Sequence, residues 1–305
     1  MVIALLFGIG GLTAGRLGHL YPHFDVFAQF GLQFLAISAA FICAVFFSRF
    51  KTLVGIVITI GLLALYSAWP HIVSSELQSR SFKLATGEQA LRIAHFNTFK
   101  NNPDNDAIAQ EVLRLDADVV SLIEMSDKKK QAVLPKLLAA YPYQFDCISV
   151  SDCSQAIISK FPFKETSAQA GWEGPPYVMA KLGGAFDGVT VYSVHTTRFP
   201  HSRAQLTQIR ALTKLLETSA GQKIVMGDFN ATLFSRVLST LEDGAALQRI
   251  TDLPTWPAQW QMPQLAIDHI FISEGFRVVG NQQIGANVGS DHYPILATVA
   301  LKSKN

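Results

Sequence analysis

The chain has 305 residues, enough for one large domain and an appendage, and its formal net charge of +2 is too close to zero to indicate a polyanionic partner. The average conceals a division, because residues 1–70 contain only four charged side chains, Arg16, Asp25, Arg49 and Lys51. The rest has the charge density of a soluble domain. The composition therefore predicts a membrane anchor over residues 1–70, a polar linker over 71–90 and a globular domain over 91–305.

Apolar segments in the first 70 residues predict three transmembrane helices. Residues 26–47 are uncharged and exceed the roughly 20 residues that cross a bilayer, and residues 53–69 are close to the lower limit of about 17. Residues 1–15 are shorter and either span with the help of Leu17 or span imperfectly. A cleaved signal peptide is a weaker alternative, because no basic segment precedes this stretch. Buried core helices are a further alternative, which the clustering of all three segments ahead of the polar sequence disfavours.

Two features suggest the orientation of this anchor. Arg49 and Lys51 lie in a tight loop between adjacent spans, and the positive-inside rule places such a loop in the cytoplasm, so that residues after about 70 lie outside. Cys147 and Cys153 form a C-x5-C pair, which in an outward-facing domain is either a disulfide or two unrelated thiols. A zinc site is disfavoured, because no second ligand pair accompanies them.

The globular part mixes apolar strand-like runs with segments of helical periodicity. Strands are predicted at 91–96, 118–123, 156–158, 177–182, 189–194, 223–226, 267–272, 276–279 and 295–301. Helices are predicted at 106–115, 128–140 and 202–218. Because the elements do not follow strict βαβ alternation, the order favours helices packed outside a pair of mixed sheets.

Polar residues accompany the ends of six of these apolar runs. They are Asn97, Glu124, His195, Asp228 with Asn230, Asp268, and Asp291 with His292. A β-sheet delivers functional groups to one rim in this way, because apolar residues bury the strand and the polar residue emerges at its end. The set predicts a site built from carboxylates, amides and imidazoles.

These residues occur in the order and local contexts seen in the endonuclease/exonuclease/phosphatase superfamily, which the chain resembles over about residues 91–301. Each motif is weak alone, but together they are highly specific, and residues 156–162 also resemble the strand before that family's mid-domain loop. The group includes DNase-type nucleases, abasic-site endonucleases, inositol-polyphosphate phosphatases and neutral sphingomyelinases. The resemblance implies a DNase-like α+β fold, a four-layered α/β/β/α sandwich, here preceded by transmembrane helices.

The resemblance also implies a divalent cation, Mg²⁺ or Mn²⁺, as cofactor. Glu124 would be its main ligand, with Asn97 beside it and Asp291 assisting. Hard cations prefer oxygen ligands, and Mg²⁺ usually sits on one or two carboxylates while keeping several waters. The acidic residue that often follows the first Asn by two positions is Phe99 here, which favours a one-metal site.

Catalytic roles follow from the same resemblance. Asp228 would position or deprotonate the attacking water, and Asn230 would donate a hydrogen bond to phosphate, since alternate residues on an extended segment point the same way. Asp268 would hold His292 as a cation against the phosphate, because a nearby carboxylate raises a histidine pKa. His195 would contact phosphate or protonate the leaving group.

Other residues are predicted to be structural or remain open between two roles. His269 is predicted to pack in the interior, and the remaining histidines to be structural because no partner pattern accompanies them. Those histidines are His19, His23, His71, His95 and His201. Trp172, Trp256 and Trp260 lie in Gly/Pro-rich loops and either reach a membrane interface or cap the core.

The predicted function is metal-dependent hydrolysis of phosphoester bonds by a multi-pass protein of the bacterial inner membrane, with a periplasmic catalytic domain. The expected partner is a phosphoester substrate, lipid or nucleic acid, and no obligate protein partner is evident. A membrane-anchored endo- or exonuclease is the alternative, which the lack of a long basic run disfavours. An alternative of another class is a catalytically silent binding domain on a membrane stem, which the full residue set disfavours.

Overall fold

The computed structural model describes residues 1–77, 84, 86, 88–147, 153–171 and 174–302. Four N-terminal helices come first and pack on one another. They are α1 (Val2–Arg16), α2 (Asp25–Ala28), α3 (Gly31–Phe47) and α4 (Lys51–Leu77), with short 3-10 turns at Leu17–His19 and Pro22–Phe24.

The prediction of three separate transmembrane helices is not supported. Among the described residues, Val2–His19 is the helix long and apolar enough to cross a membrane, and a second span is counted if Pro22–Ala28 and Gly31–Phe47 are taken together despite a bend of 57°. Lys51–Tyr66 is apolar but shorter. An N-terminal apolar helix of this kind is compatible with a signal sequence or a membrane anchor.

The predicted span at 26–47 is bent near its start, where the chain is hydrogen-bonded to the globular domain. Asp25 and Gln29 are buried against the globular domain, where their side chains accept hydrogen bonds from Thr232 and Ser235. Within the predicted linker of residues 71–90, α4 continues to Leu77 and the first strand begins at Gln89. Much of the stretch between them lies outside the described residues.

Two six-stranded mixed sheets form the centre of the globular domain. The strands are β1 (Gln89–Asn97), β2 (Val119–Ile123), β3 (Tyr143–Asp146), β4 (Gln155–Ser159), β5 (Phe163–Gln169), β6 (Tyr177–Leu182), β7 (Val189–His195), β8 (Gln222–Asp228), β9 (Leu247–Arg249), β10 (Asp268–Ser273), β11 (Phe276–Ile284) and β12 (Ile295–Leu301). One sheet has the order β11-β12-β1-β2-β4-β3 and the other β5-β6-β7-β8-β10-β9. Every predicted strand is confirmed, whereas β3, β5 and β9 were not predicted.

Three apolar layers hold the sheets and helices together. The remaining helices are α5 (Asn105–Leu115), α6 (Asp127–Leu137), α7 (Ser202–Thr218) and α8 (Arg236–Ala245). One core lies between the sheets, a second joins α5 and α6 to the first sheet, and a third joins α7 and α8 to the second sheet. The layers are therefore helix, sheet, sheet and helix, which confirms the predicted α+β sandwich.

Parallel strand pairs bring the polar strand ends to one edge of the sandwich. Asn97 pairs with Ile123 at the ends of β1 and β2, and His195 pairs with Asp228 at the ends of β7 and β8. Gly227 is required at this second pairing, since a Cβ there would lie 1.9 Å from the Val194 carbonyl oxygen. The absence of a side chain at Gly227 therefore lets β8 carry Asp228 close to His195.

The cysteine pair is a disulfide. Cys147 and Cys153 are bonded, with a Cα–Cα distance of 5.7 Å, and they flank residues 148–152 between β3 and β4. This confirms the disulfide reading over two unrelated thiols. Cys43 is free and exposed on α3.

Candidate active site

A pocket of about 560 Å³ opens at the edge where the strand ends meet. Its lining consists of Glu124, His195, Thr196, Arg198, Phe199, Pro200, His201, Asp228, Asn230, Trp256, Ile267, Asp291 and His292. Six of the eight predicted site residues are in this lining, and the other two, Asn97 and Asp268, are buried directly behind it. The structure therefore brings all the predicted site residues together.

Glu124 directly follows β2, and its backbone φ of 57° lies in the left-handed region, which residues other than glycine rarely adopt. Such residues cost about 1 kcal/mol or more and persist where surrounding contacts enforce them. Here the Lys100 backbone N–H donates to Oε2 at 2.8 Å and the Asn97 amide donates to Oε1 at 3.3 Å. Burial opposes ionisation, but these donors and the nearby His195 outweigh it and lower the pKa of Glu124. The strained turn thus presents an ionised carboxylate to the pocket.

Asn97 links two carboxylates of the site. Its Nδ2 donates to Glu124 Oε1 and also to Asp228 Oδ2 at 3.2 Å, while its Oδ1 accepts from the Phe99 N–H at 3.0 Å. The amide oxygen therefore faces its own loop, and a role as a metal ligand requires the amide to rotate. That role stays a prediction, whereas the structure shows Asn97 as a donor that holds Glu124 and Asp228 in place.

Asp228 is almost fully buried at the floor of the pocket. Its Oδ1 accepts the Asn230 backbone N–H at 2.8 Å, and its Oδ2 lies 3.6 Å from Nε2 of His292 and 3.8 Å from Nε2 of His195. Burial raises the pKa of Asp228 to about 8, a larger effect than the opposing attraction of His292. A base whose pKa lies near the working pH is well matched to proton transfer.

Asp268 is fixed from several sides behind the pocket. Its Oδ2 lies 2.7 Å from His292 Nδ1 and accepts the Thr255 hydroxyl, and its Oδ1 lies 3.2 Å from His95 Nε2. Although burial opposes ionisation, the two imidazoles hold the pKa of Asp268 far below its usual range. Burial alone would lower the pKa of His292, but Asp268 and Asp228 outweigh it and raise that pKa to about 10. His292 is therefore an imidazolium at neutral pH.

His195 lies on the pocket wall with 24 % of its side chain exposed. Burial lowers its pKa more strongly than the nearby Glu124 raises it, so the ring is neutral at pH 7. A neutral imidazole can donate one hydrogen bond to a phosphate oxygen. The role of His195 in protonating a leaving group stays a prediction. It requires that the negative charge of a bound phosphate raise the pKa of His195.

Two groups of residues offer ligand atoms that a cation could use. Asp228, Asp268 and His292 place ligand atoms within 4.8 Å of one another, but both oxygens of Asp268 and Nδ1 of His292 are already engaged in the hydrogen bonds described above. Asp291 Oδ1, by contrast, is buried with no hydrogen-bond partner among the described residues, and burial together with the charge of Glu124 raises the Asp291 pKa. Glu124 and Asp291 line the same pocket, and a carboxylate oxygen that accepts one hydrogen bond keeps a second lone pair. A divalent cation between them would give Asp291 Oδ1 a partner and offset the repulsion between the two carboxylates, so these residues fit a metal.

Sequence reasoning missed part of this site. His95 was predicted to be structural, yet its ring contacts both Asp268 and Ser121, and Thr255 was not singled out. The signal for His95 was available, because it lies two residues before Asn97 and alternate residues of a strand share a face. His201, also predicted to be structural, lines the pocket.

The tryptophans and His269 occupy different settings. Trp256 lines the pocket, whereas Trp260 is 70 % exposed, and Trp172 lies outside the described residues. His269 is buried, with its ring nitrogens against the carbonyl oxygens of Ala231 and Thr251. It has no atom in the pocket lining.

The sequence profile of the endonuclease/exonuclease/phosphatase family matches residues 94–292, which include every predicted site residue. The chain belongs to this family. Its members are generally metal-dependent hydrolases of phosphoester bonds, among them nucleases, phosphodiesterases and sphingomyelinases. A comparison with curated protein sequences found no match.

Solved structures share the fold of the family's catalytic domain. An endonuclease/exonuclease/phosphatase from Bacteroides vulgatus superposes with a TM-score of 0.58 at 19% identity, covering 70% of this chain and 100% of that one. A beta toxin mutant from Staphylococcus aureus with bound magnesium ions gives 0.54 at 17% identity, over 68% and 99% of the two chains. Sphingomyelinase C from Streptomyces griseocarneus gives 0.53 at 16% identity, over 69% and 99%. At these identities the likeness establishes the fold alone.

Proposed function

We propose that the protein is a membrane-anchored hydrolase that cleaves phosphoester bonds with the help of Mg²⁺ or Mn²⁺. The observation that carries this proposal is the arrangement of an ionised Glu124, a buried Asp228 and a cationic His292 around one pocket. A cation bound by Glu124 and Asp291 would offset phosphate charge and polarise a P–O bond. The magnesium ions bound to the fold relative from Staphylococcus aureus support this choice of cofactor.

The chain's own residues supply the remaining chemistry. The oxygen of a water molecule forms a bond to phosphorus while Asp228 accepts the water's proton. The bond to the leaving oxygen breaks on the opposite side, and that oxygen takes up a proton from solvent. His292 donates from Nε2 to a phosphate oxygen, because Asp268 engages Nδ1 and keeps the ring protonated. Asn97 fixes the Asp228 carboxylate. Donors set in advance toward developing charge are usually a large contribution to such catalysis.

The N-terminal helices are proposed to hold the enzyme in a bilayer. Many apolar side chains on α1, α3 and α4 are exposed, as expected of helices surrounded by lipid. Met1, Arg49 and Lys51 meet at one end of the helical bundle, and the catalytic domain lies at the other. With the cationic end in the cytoplasm, the catalytic domain and its disulfide face outward.

A lipid phosphoester is the proposed substrate class. Phe199, Pro200 and Trp256 give the pocket an apolar wall beside the catalytic groups, and Arg198 is the one Lys or Arg in the lining of this pocket. A nucleic-acid groove would offer several cations along a backbone track. The fold relative named sphingomyelinase C lends support.

The test is a substrate screen on the full-length protein in liposomes. Candidate substrates are sphingomyelin, phosphoinositides, single- and double-stranded DNA, RNA and a soluble phosphodiester, each assayed with Mg²⁺, with Mn²⁺ and with chelator. We expect cleavage of a lipid that chelator abolishes and that Glu124→Gln lacks. Turnover that survives chelation would refute the metal assignment, and cleavage of DNA with no lipid cleaved would favour the nuclease function.

A further inference from the structure

The anchor is docked onto the catalytic domain rather than merely tethered to it. Asp25 accepts from the Ser235 hydroxyl at 2.5 Å and from the Arg236 N–H at 3.0 Å, and Gln29 accepts from the Thr232 N–H at 2.6 Å. Asp25 and Gln29 are both buried. The loop between β8 and α8 is therefore bound to the segment that leads into α3.

A second loop is bound at the same end of α3. Gln33 Nε2 donates to the Gln264 carbonyl oxygen at 3.1 Å, and Gln264 lies between β9 and β10 in the loop that also carries Trp256. Gly31 has no side chain, and a Cβ there would lie 2.9 Å from the Phe234 ring, so Phe234 packs against the first turn of α3. Two loops that line the pocket are thus fixed to the start of one anchor helix.

Each of these loops exposes large apolar side chains. Leu233 and Phe234 on the first loop and Trp260 and Met262 on the second are 37 to 70 % exposed. We call these four residues the apolar rim. Leu35, one turn after Gly31 on α3, is exposed as well, so the start of the anchor helix and the apolar rim both present apolar side chains.

The length of α3 sets the depth of the rim. Its 17 residues extend about 25 Å at 1.5 Å per residue, which is less than the roughly 30 Å of hydrocarbon in a typical bilayer. Such a mismatch is relieved when groups at the helix end move toward the hydrocarbon boundary. The groups at this end are the apolar rim, and tryptophan is enriched at that boundary.

We propose that the apolar rim inserts into the phospholipid bilayer at the headgroup boundary, so that the active-site pocket opens onto the membrane surface. This inference rests on the membrane anchoring proposed above. Asn230 and Trp256 on the same two loops line the pocket, and Phe199 in its lining packs against Phe30 of the anchor with ring centroids 5.8 Å apart. The pocket wall and the membrane-facing surface are therefore continuous, and a lipid phosphoester reaches Asp228 without leaving the bilayer.

The test measures membrane depth in the full-length protein reconstituted in phosphatidylcholine–phosphatidylglycerol vesicles. An environment-sensitive fluorophore is attached at native Cys43, or, in a Cys43→Ser background, at Phe234→Cys, Trp260→Cys or Leu138→Cys. Leu138 is the matched control, because it is an exposed leucine at the end of α6, against the other sheet. Emission is then quenched with phospholipids that carry a spin label at a shallow or a deep position of the acyl chain.

The inference expects Cys43 to lose most of its emission to the deep label, positions 234 and 260 to lose it to the shallow label, and position 138 to keep it. If Cys43 is quenched but 234 and 260 are not, the inference fails while the anchoring stands; a partner protein or a second copy then covers the rim. If Cys43 itself escapes quenching, the anchoring and the inference fail together. Equal quenching at 138 would also overturn the inference.

Discussion

Nδ1 of His292 lies 2.7 Å from Asp268 Oδ2, and Nε2 of the same ring lies 3.6 Å from Asp228 Oδ2. One imidazolium therefore lies between a carboxylate that is fully hydrogen-bonded and a carboxylate that faces the pocket. Asp268 keeps the ring charged, and Asp228 is left to exchange a proton with water. This division of roles leads to specific expectations for substitutions.

Asp228→Asn and His292→Gln should each reduce kcat by about a thousandfold or more, and the double variant should lose little beyond either one. The reason is that both groups act on the same transition state. Initial rates of the purified protein, with folding monitored by thermal unfolding, provide the measurement. Losses that multiply in the double variant would show that the two residues act independently.

The Asp268–His292 pair should make stability depend on pH. The depressed pKa of Asp268 stabilises the fold above about pH 4, and this contribution is lost as pH falls. The raised pKa of His292 stabilises it below about 6.5, and this contribution is lost as pH rises toward about 10. The contribution of this pair to Tm should therefore be largest between about pH 4 and 6.5.

Asp268→Asn should lower Tm near pH 6 and flatten the decline of Tm between pH 6.5 and 10. Thermal unfolding in detergent across this range measures both effects. Asp106→Asn is the control, since that carboxylate is 75% exposed and its curve should follow the wild type. If Tm of Asp268→Asn declined with pH as steeply as that of the wild type, the Asp268–His292 pair would not be the cause of the pH dependence.

His95 should act as a positioning residue through Asp268. His95→Leu removes a hydrogen bond to a charged group, a loss of about 1.5–3 kcal/mol, and should reduce kcat by roughly 10- to 100-fold with little change in KM. His95→Gln, which can still donate to Asp268, should recover part of this loss. A change confined to KM, or no rescue by glutamine, would contradict the assignment.

The elements with a strong hydrophobic pattern were predicted from the sequence. Elements that form only because they pair with a neighbouring strand or pack on a sheet were not. Tyr177–Leu182 and Ser202–Thr218 have the bounds predicted from their periodicity. β5 was missed because Phe163–Gln169 is a half-exposed edge strand with no apolar alternation. α8 was missed although Ser235 caps it and Val237, Leu238 and Leu241 are buried, since it is a short helix in a stretch to which no element was assigned.

The residues of the site were predicted because they lie at strand ends. The hydrogen bonds that join them to one another and to the N-terminal helices were not predicted. Asp268 was expected to serve one histidine and serves two. The docking of Asp25 on Ser235 joins residues 210 positions apart, and no local pattern announces such a contact. The break near Gln29 in the apolar segment follows from that docking, which is why an uninterrupted span was expected there.

Asp25→Ala should destabilise the docked form of the full-length protein. It leaves the Ser235 hydroxyl and the Arg236 N–H without their buried acceptor, at a cost of about 1–3 kcal/mol. Thermal unfolding in detergent should show a lower Tm than the wild type. Asp187→Ala, at an exposed carboxylate paired with Lys164, should leave Tm unchanged, and equal effects of the two variants would contradict the docking.

Topology can be tested with fusions. Alkaline phosphatase attached after residue 305 should be active, and green fluorescent protein in the same place should be dark when the chain is exported by the general secretory route. Cys147 and Cys153 should resist thiol reagents in intact cells, because they form a disulfide. A bright fluorescent fusion with reactive thiols at both positions would place the domain in the cytoplasm.

Helix α4 has 27 residues, of which Lys51–Tyr66 form its apolar part, and it packs beside β11 although Pro70 lies within it. If the proposed anchoring holds, the two loops docked on the start of α3 prevent the catalytic domain from tumbling independently of the bilayer. Encounter with substrate then becomes a two-dimensional search by lateral diffusion. The rate should follow the mole fraction of substrate in the host bilayer and fall when that bilayer is diluted with inert lipid. Substrate in separate vesicles that do not fuse with the host bilayer should not be cleaved.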